Sequence, residues 1–233
     1  MIKRIIKKCL GENLSKIISH QIASHNLHKN GYEALDIIER LAKSERFEYF
    51  LMFGTLLGAY REHDFIKHDD DIDLAVSSTV ISQKFVSILE TEGFVMKTLK
   101  ETNDGKHRMV SFSYKNVMID FYGFVFEEGH NDMFVFSTYP LEGMTYSESM
   151  NIGKYRCLFA KFKYVGLESC LFNHLTLPVP INAKEILEGL YGPNFMTPNK
   201  TDYEKYSTIY EILPVEKLYS TLISIDKLPL KWN

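Results

Sequence analysis

The sequence is poor in cysteine, carries no excess of positive charge and has no long apolar run, and each shortage closes a class of function. Its three cysteines, Cys9, Cys157 and Cys170, show no C-x-x-C spacing and no paired histidines beside them, so neither a disulfide framework nor a zinc site is indicated. The formal net charge of −3 gives no argument for a nucleic-acid partner, because gripping a phosphate backbone takes a concentrated positive surface. No apolar run reaches the ~18 residues that read as a bilayer span, and no signal-peptide core or cleavage site is visible. A cytoplasmic protein is expected. Internal repeats, low-complexity tracts and interdomain linkers are also missing. What remains is a chain of 233 residues, 45% hydrophobic and 24% charged, ordinary for a globular protein and long enough to bury a sizeable core.

The chemistry concentrates between Phe53 and Val76, FGTLLGAYREHDFIKHDDDIDLAV. Asp69, Asp70, Asp71 and Asp73, with Asp64 upstream, stand against apolar Ile72, Leu74, Ala75 and Val76. If Asp71 to Val76 is a strand, its period of two puts Asp71 and Asp73 on one face while Ile72 and Leu74 enter the core. Two adjacent carboxylates repel, and a divalent cation or protonation relieves them. Hard oxygen donors suit Mg2+ or Mn2+. A bare D-x-D is more often a solvated loop, but the residues upstream weigh against that. Phe50 to Phe53 reads as a buried strand, Gly54-Thr55 as a tight turn, and Leu56 to Tyr60 as the helix that follows. That order exposes backbone N–H groups at a helix N-terminus, a corner suited to an anion.

The combination FGTLLGAYR, a short loop ending in Phe65-Ile66, and DDDIDL resembles the LicD and fukutin family, whose members have a nucleotidyltransferase-type fold. The family pattern is a Gly-Thr or Gly-Ser turn, a paired-carboxylate strand and a third carboxylate on a later strand. Gly54-Thr55, Asp71 with Asp73, and Asp120 in VMIDFY match these in turn. Lys161 in F-x-K-F, the V-P-x segment and Tyr191-Gly192 resemble the fukutin side, so the likeness spans Leu51 to Phe195. Before the acidic run the family usually reads Pro-Trp, and this chain has Lys67-His68. The resemblance implies an α/β (α+β) fold, with residues 1–46 as N-terminal helices, 47–126 as a nucleotidyltransferase-like core and 127–233 as a family-specific C-terminal part. It also implies metal-dependent transfer of a phospho-alcohol, such as phosphocholine or ribitol or glycerol phosphate, from a CDP-linked donor. The acceptor would be a hydroxyl of a glycan or lipid-linked glycan, and CMP would leave. Asp71, Asp73 and Asp120 would hold Mg2+ or Mn2+, with Asp69 or Asp70 as base, and Gly54, Thr55, Arg61 and Lys161 would contact the donor. For Arg61 the competing reading is a salt bridge to Glu62 or Asp64, and for Lys161 a solvated strand lysine. Two other classes stay open: a nucleotidyltransferase that releases pyrophosphate from a nucleoside triphosphate, and a non-catalytic partner in glycan assembly.

Elsewhere the patterns are structural. Residues 1–10 place Ile2, Ile5, Ile6 and Leu10 at helical spacing among Lys3, Arg4, Lys7 and Lys8, a basic amphipathic helix broken at Gly11 that suits either an anionic membrane face or packing on the domain. A second helix is expected from Tyr32 to Arg46, and a third capped by Ser77 or Ser78 and stopped at Gly93. Strands follow at 94–99, 109–114 and 117–126, the last with Met118, Asp120 and Tyr122 on one face. The span 127–154 has no sustained period and reads as loops and variable hairpins. Asn182 with Glu185 has the form of a capping box, Gly192-Pro193 closes that helix, and a short amphipathic piece is expected near residues 213–222.

Overall fold

The computed structural model describes residues 12–127, 129, 131–198, 210–212 and 218–232. The basic segment 1–10 lies outside them, and so does Gly11. Helix α1 runs unbroken over Glu12–Glu45, where the sequence suggested a separate helix from Tyr32. The residue that invites a break there is Gly31, and it is kept for packing: a Cβ at this position would stand 2.8 Å from the Phe65 ring. Leu35, Ile38, Leu41 and Ala42 form the buried face, as their spacing predicts. Each of the larger ones contributes about 1.5–3 kcal/mol by leaving water.

The architecture is mixed α/β, with nine strands in one sheet among the described residues. Strand β1 (Tyr49–Leu51) pairs antiparallel with β2 (Asp71–Ser77). Strand β2 in turn runs parallel to β5 (Val117–Phe126). Around β5 the strands close on themselves. β5 pairs β4 (Arg108–Tyr114), β4 pairs β3 (Val95–Thr102), and β3 pairs β11 (Tyr219–Leu222). β11 pairs β7 (Lys154–Lys163), β7 pairs β6 (Asp132–Tyr139), and β6 returns to β5. β10 (Tyr210–Ile212) adds to β7, and β8 (Leu167–Phe172) with β9 (Leu175–Pro180) forms a separate hairpin. Inside the ring Met109, Phe136, Cys157 and Phe159 make a small core of their own. The main core lies on the other side, between the sheet and helices α1, α2 (Phe53–Arg61) and α3 (Gln83–Thr91).

Several local expectations are corrected. Helix α3 is capped by Ser82, whose side chain accepts from Phe85 N, rather than by Ser77 or Ser78. Ser78 Oγ is occupied at 2.8 Å by the N–H of Arg108. In the span 127–154, expected as loops and variable hairpins, β6 pairs antiparallel with β5 as a hairpin does, and the unforeseen part is helix α4 (Tyr146–Ile152), with a complete capping box between Thr145 and Glu148. Asn182 precedes helix α5 (Ala183–Tyr191) but makes no side-chain cap. Its Nδ2 donates instead to the carbonyl of Lys163 at 2.9 Å. The tail near 213–222 supplies strand β11, with residues 213–217 outside the described part.

Gly58 fixes how α2 meets the loop that leads into the acidic run, since a Cβ there would overlap the backbone carbonyl oxygen of Asp64. Backbone cannot swing aside as a side chain can, so Gly58→Ala is expected to lose roughly 3 kcal/mol of stability. Urea unfolding with an unchanged slope and a lowered midpoint checks this.

Candidate metal and transfer site

The site begins where β1 turns into α2. Phe53 makes the turn at φ 47°, a left-handed conformation that is costly for a bulky residue, and its ring packs edge-on against Tyr122 at 4.8 Å. Gly54 and Thr55, read from sequence as a turn ahead of the helix, form its first turn. Both serve Asp73 directly. Gly54 N–H donates to Asp73 Oδ2 at 3.1 Å, and Asp73 N–H donates to Thr55 Oγ1 at 2.9 Å. Gly54 N–H, one of the groups expected to face an anion, is taken by a carboxylate of the chain itself, while Thr55 Oγ1 accepts from the Asp73 backbone.

On β2, Ile72 and Leu74 are fully buried, as alternation requires, and Asp71 and Asp73 share the other face. The parallel register places Asp73 opposite Asp120 and Asp71 opposite Met118. Oxygens of Asp71, Asp73 and Asp120 all lie within 4.8 Å of one another, and a second such group is Asp69, Asp70 and Asp71. Tyr122 donates its hydroxyl to Asp73 Oδ1 at 3.0 Å. Ser111, opposite Asp120 on β4, hydrogen-bonds the Asp120 carboxylate. Among the described residues Asp120 Oδ1 and Asp69 Oδ2 are buried and find no hydrogen-bond partner. Asp69 reaches this place because Gly54 has no side chain: its Oδ2 lies 2.9 Å from where a Cβ would stand. Asp70 turns outward to His20 Nδ1 at 2.9 Å.

This arrangement fits a hard divalent cation. Three carboxylates converge, the donors are all oxygen, and one buried oxygen of Asp120 is left over for a ligand to satisfy. Without a cation the charges raise one another. Burial, then the neighbouring Asp69, Asp120 and Asp70, pushes Asp71 up to about 8. Burial, then Asp70, pushes Asp69 up to about 6. Burial first, followed by Asp71 and Asp120, holds Asp73 well above the usual carboxylate range. Asp120 is also raised by burial, against the opposing pull of Ser111 and Lys100.

A pH dependence follows from these shifts. Unfolded aspartate ionises near its ordinary 3.8, whereas folded Asp71 keeps its proton to about 8. Across that window the folded chain binds more protons than the unfolded one, so metal-free stability falls as pH rises. Cation binding must expel those protons. Mn2+ affinity is therefore expected to climb between about pH 6 and 8, flattening above, with proton release measurable by calorimetry in buffers of different ionisation enthalpy.

Arg61 and Lys161 do not join the cluster. Arg61 lies at the far end of α2, about 10 Å of helix from Gly54, and its guanidinium bonds Glu62 at 2.6 and 3.1 Å. Lys161 stands opposite Phe134, which stands near Val125, five residues of β5 or about 17 Å from Asp120. Its ammonium meets Asp132 at 3.1 Å and Glu127 at 3.4 Å. Asp64 is structural, accepting from Tyr32, Phe65 and Asn173. Neither Tyr122 nor Ser111 is marked as a site residue by any motif; only the shared face of Tyr122 and Asp120 signals the first.

A helix N-terminus clasping a two-carboxylate strand, with a third carboxylate on the parallel neighbour, is the build of a nucleotidyltransferase-type domain. Residues 46–182 match the family model described as LicD/FKTN/FKRP, nucleotidyltransferase domain, and the chain belongs to that family. No curated protein matches the sequence. Membership brings the general character of the family: phospho-alcohol transfer, dependence on a metal ion, a nucleotide-linked donor and a glycan acceptor. Among the described residues no helix is long and apolar enough to cross a membrane.

Proposed function

We propose that this chain moves a phospho-alcohol from a CDP-linked donor to a hydroxyl of a cell-surface glycan and releases CMP. The observation that carries the reading is the convergence of Asp71, Asp73 and Asp120 within 4.8 Å. Those three residues would hold Mg2+ or Mn2+, which when bound offsets the diphosphate's charge and polarises the phosphorus under attack. The acceptor hydroxyl oxygen forms a bond to the phosphorus that bears the alcohol. The bond from that phosphorus to the bridging oxygen breaks, and the bridging oxygen leaves with CMP. The hydroxyl's proton passes to a carboxylate. Asp69 suits this task better than Asp70, because its buried oxygen has no hydrogen-bond partner among the described residues and its pKa is raised to about 6, whereas Asp70 is tied to His20. Tyr122, Gly54 and Thr55 lock Asp73 in one orientation, so little reorganisation is needed when the ligand arrives.

The test is product identity with Mn2+ present. CDP-ribitol, CDP-glycerol and CDP-choline are each supplied with a glycan acceptor, and nucleoside triphosphates in parallel. Release of CMP, with the alcohol phosphate found on the glycan, is the expected result. Pyrophosphate released from a triphosphate would replace this reading with nucleotidyl transfer.

A further inference from the structure

Lys100 lies inside the closed ring of strands. It stands opposite Met109 in the β3–β4 register, and Met109 packs in the ring's interior with Phe136, Cys157 and Phe159. The residue is 3% exposed. Its ammonium donates to Thr138 Oγ1 at 2.9 Å and to Tyr146 OH at 2.7 Å, and it sits 4.5 Å from the centre of the Tyr155 ring. Every one of these partners is neutral. Among the described residues Lys100 makes no ion pair, although the field of Asp120 reaches it. Burial pushes its pKa down to about 8 against that field.

An ammonium buried among neutral groups is less stable there than an apolar side chain of similar length. Two of its three N–H donors are occupied, and Thr138 and Tyr146 already bond each other at 2.6 Å, so neither hydroxyl needs the lysine. The neighbouring site has the opposite problem. It must accept a polyanion although Asp69, Asp70, Asp71, Asp73 and Asp120 crowd it with negative charge, of which one divalent cation offsets only part. We infer that Lys100 is an anion-binding residue of this site, its remaining N–H meeting a phosphate oxygen of a diphosphate seated between the ring's end and the metal-holding aspartates. This rests on the reading above that the ligand is a nucleotide-linked diphosphate.

The test uses the full chain and its Lys100→Met variant, with Mg2+ alone, inorganic pyrophosphate plus Mg2+, and CDP plus Mg2+ as probes in calorimetry and thermal melts. Losing one charge-assisted hydrogen bond is expected to weaken both diphosphates about tenfold or more. Mg2+ alone should bind as well or better, because a nearby positive charge has gone, and the melting temperature should hold or rise. This opposition of sign separates the proposal from a packing role, which would lower the melting temperature and weaken metal and anion together. Diphosphate affinity within twofold of wild type in a folded variant would overturn the proposal. Wild-type binding of pyrophosphate but not CDP, with the pyrophosphate lost in Lys100→Met, would keep the anion site and remove the CDP reading. Wild-type binding of neither would overturn both.

Discussion

Asp73→Asn is expected to lower turnover by about 10³-fold or more while the chain stays folded, as removal of a group that acts only within a catalytic unit does. Asp73 Oδ2 accepts from Gly54 N–H and Oδ1 from Tyr122. An asparagine can keep the first bond, and its amide can donate to the Tyr122 oxygen if that hydroxyl turns. The hydrogen-bond frame then survives, and what disappears is a charge that a cation needs. Asp71→Asn gives the cleaner view of stability, since Asp69, Asp120 and Asp70 all raise its pKa. The sign depends on pH. Below about 8 Asp71 in the metal-free protein is largely protonated, and the amide replaces a neutral acid at little gain. Above that value the wild type carries a repelling charge the variant lacks, so the variant's melting temperature should exceed wild type by a growing margin. Excess Mn2+ should reverse the order, because only the wild type gains stability from ligand it binds well. Near-normal turnover in either variant at saturating donor would place the chemistry elsewhere.

The part of the site carried by β2 and β5 is legible in the sequence because both strands alternate cleanly. Ile72 and Leu74, then Val117, Ile119 and Phe121, face the core, which fixes where Asp71, Asp73 and Asp120 must point. That a later strand brings the third carboxylate to the pair comes from the family pattern rather than from periodicity, and that the two strands run parallel is seen only in the structure. The ring is not legible. Its closure joins Ser220 to Thr102 and to Tyr155, pairings between distant segments that no local spacing encodes. Lys100 escapes for the same reason: within VMKTLKET it looks like any solvated strand lysine, and only closure buries it. Asn182 and Ser78 mislead in another way. Each has the residue type of a cap, and each finds a tertiary partner, the Lys163 carbonyl or the Arg108 amide, that wins the hydrogen bond. Arg61, by its guanidinium, and Lys161, by the family resemblance, are expected at the donor; in the structure Glu62 pairs with the first, the competing partner the sequence offers, and Asp132 with Glu127 pairs with the second.

Asp120→Ala carries the strongest test of the three-aspartate centre, since Asp120 reaches the others only through the fold. The register sets it directly opposite Asp73, and its buried Oδ1 finds no hydrogen-bond partner among the described residues. An oxygen so placed is unfavourable unless a ligand engages it, so its removal should leave stability nearly unchanged while activity falls as far as in Asp73→Ala. Ser111 would lose its acceptor, a loss of about 1 kcal/mol, though its oxygen still accepts from Thr98 at 3.0 Å. If the three carboxylates hold one cation, the first deletion already disables the site. The double variant should then fall little below either single one, because groups that act as a unit are strongly non-additive. Independent losses that multiply in the double variant would mean that Asp120 and Asp73 serve separate steps. An Asp120→Ala protein within about tenfold of wild type, a loss equal to only 1.4 kcal/mol, would reduce Asp120 to a buried bystander and leave Asp69, Asp70 and Asp71 as the remaining place for a cation.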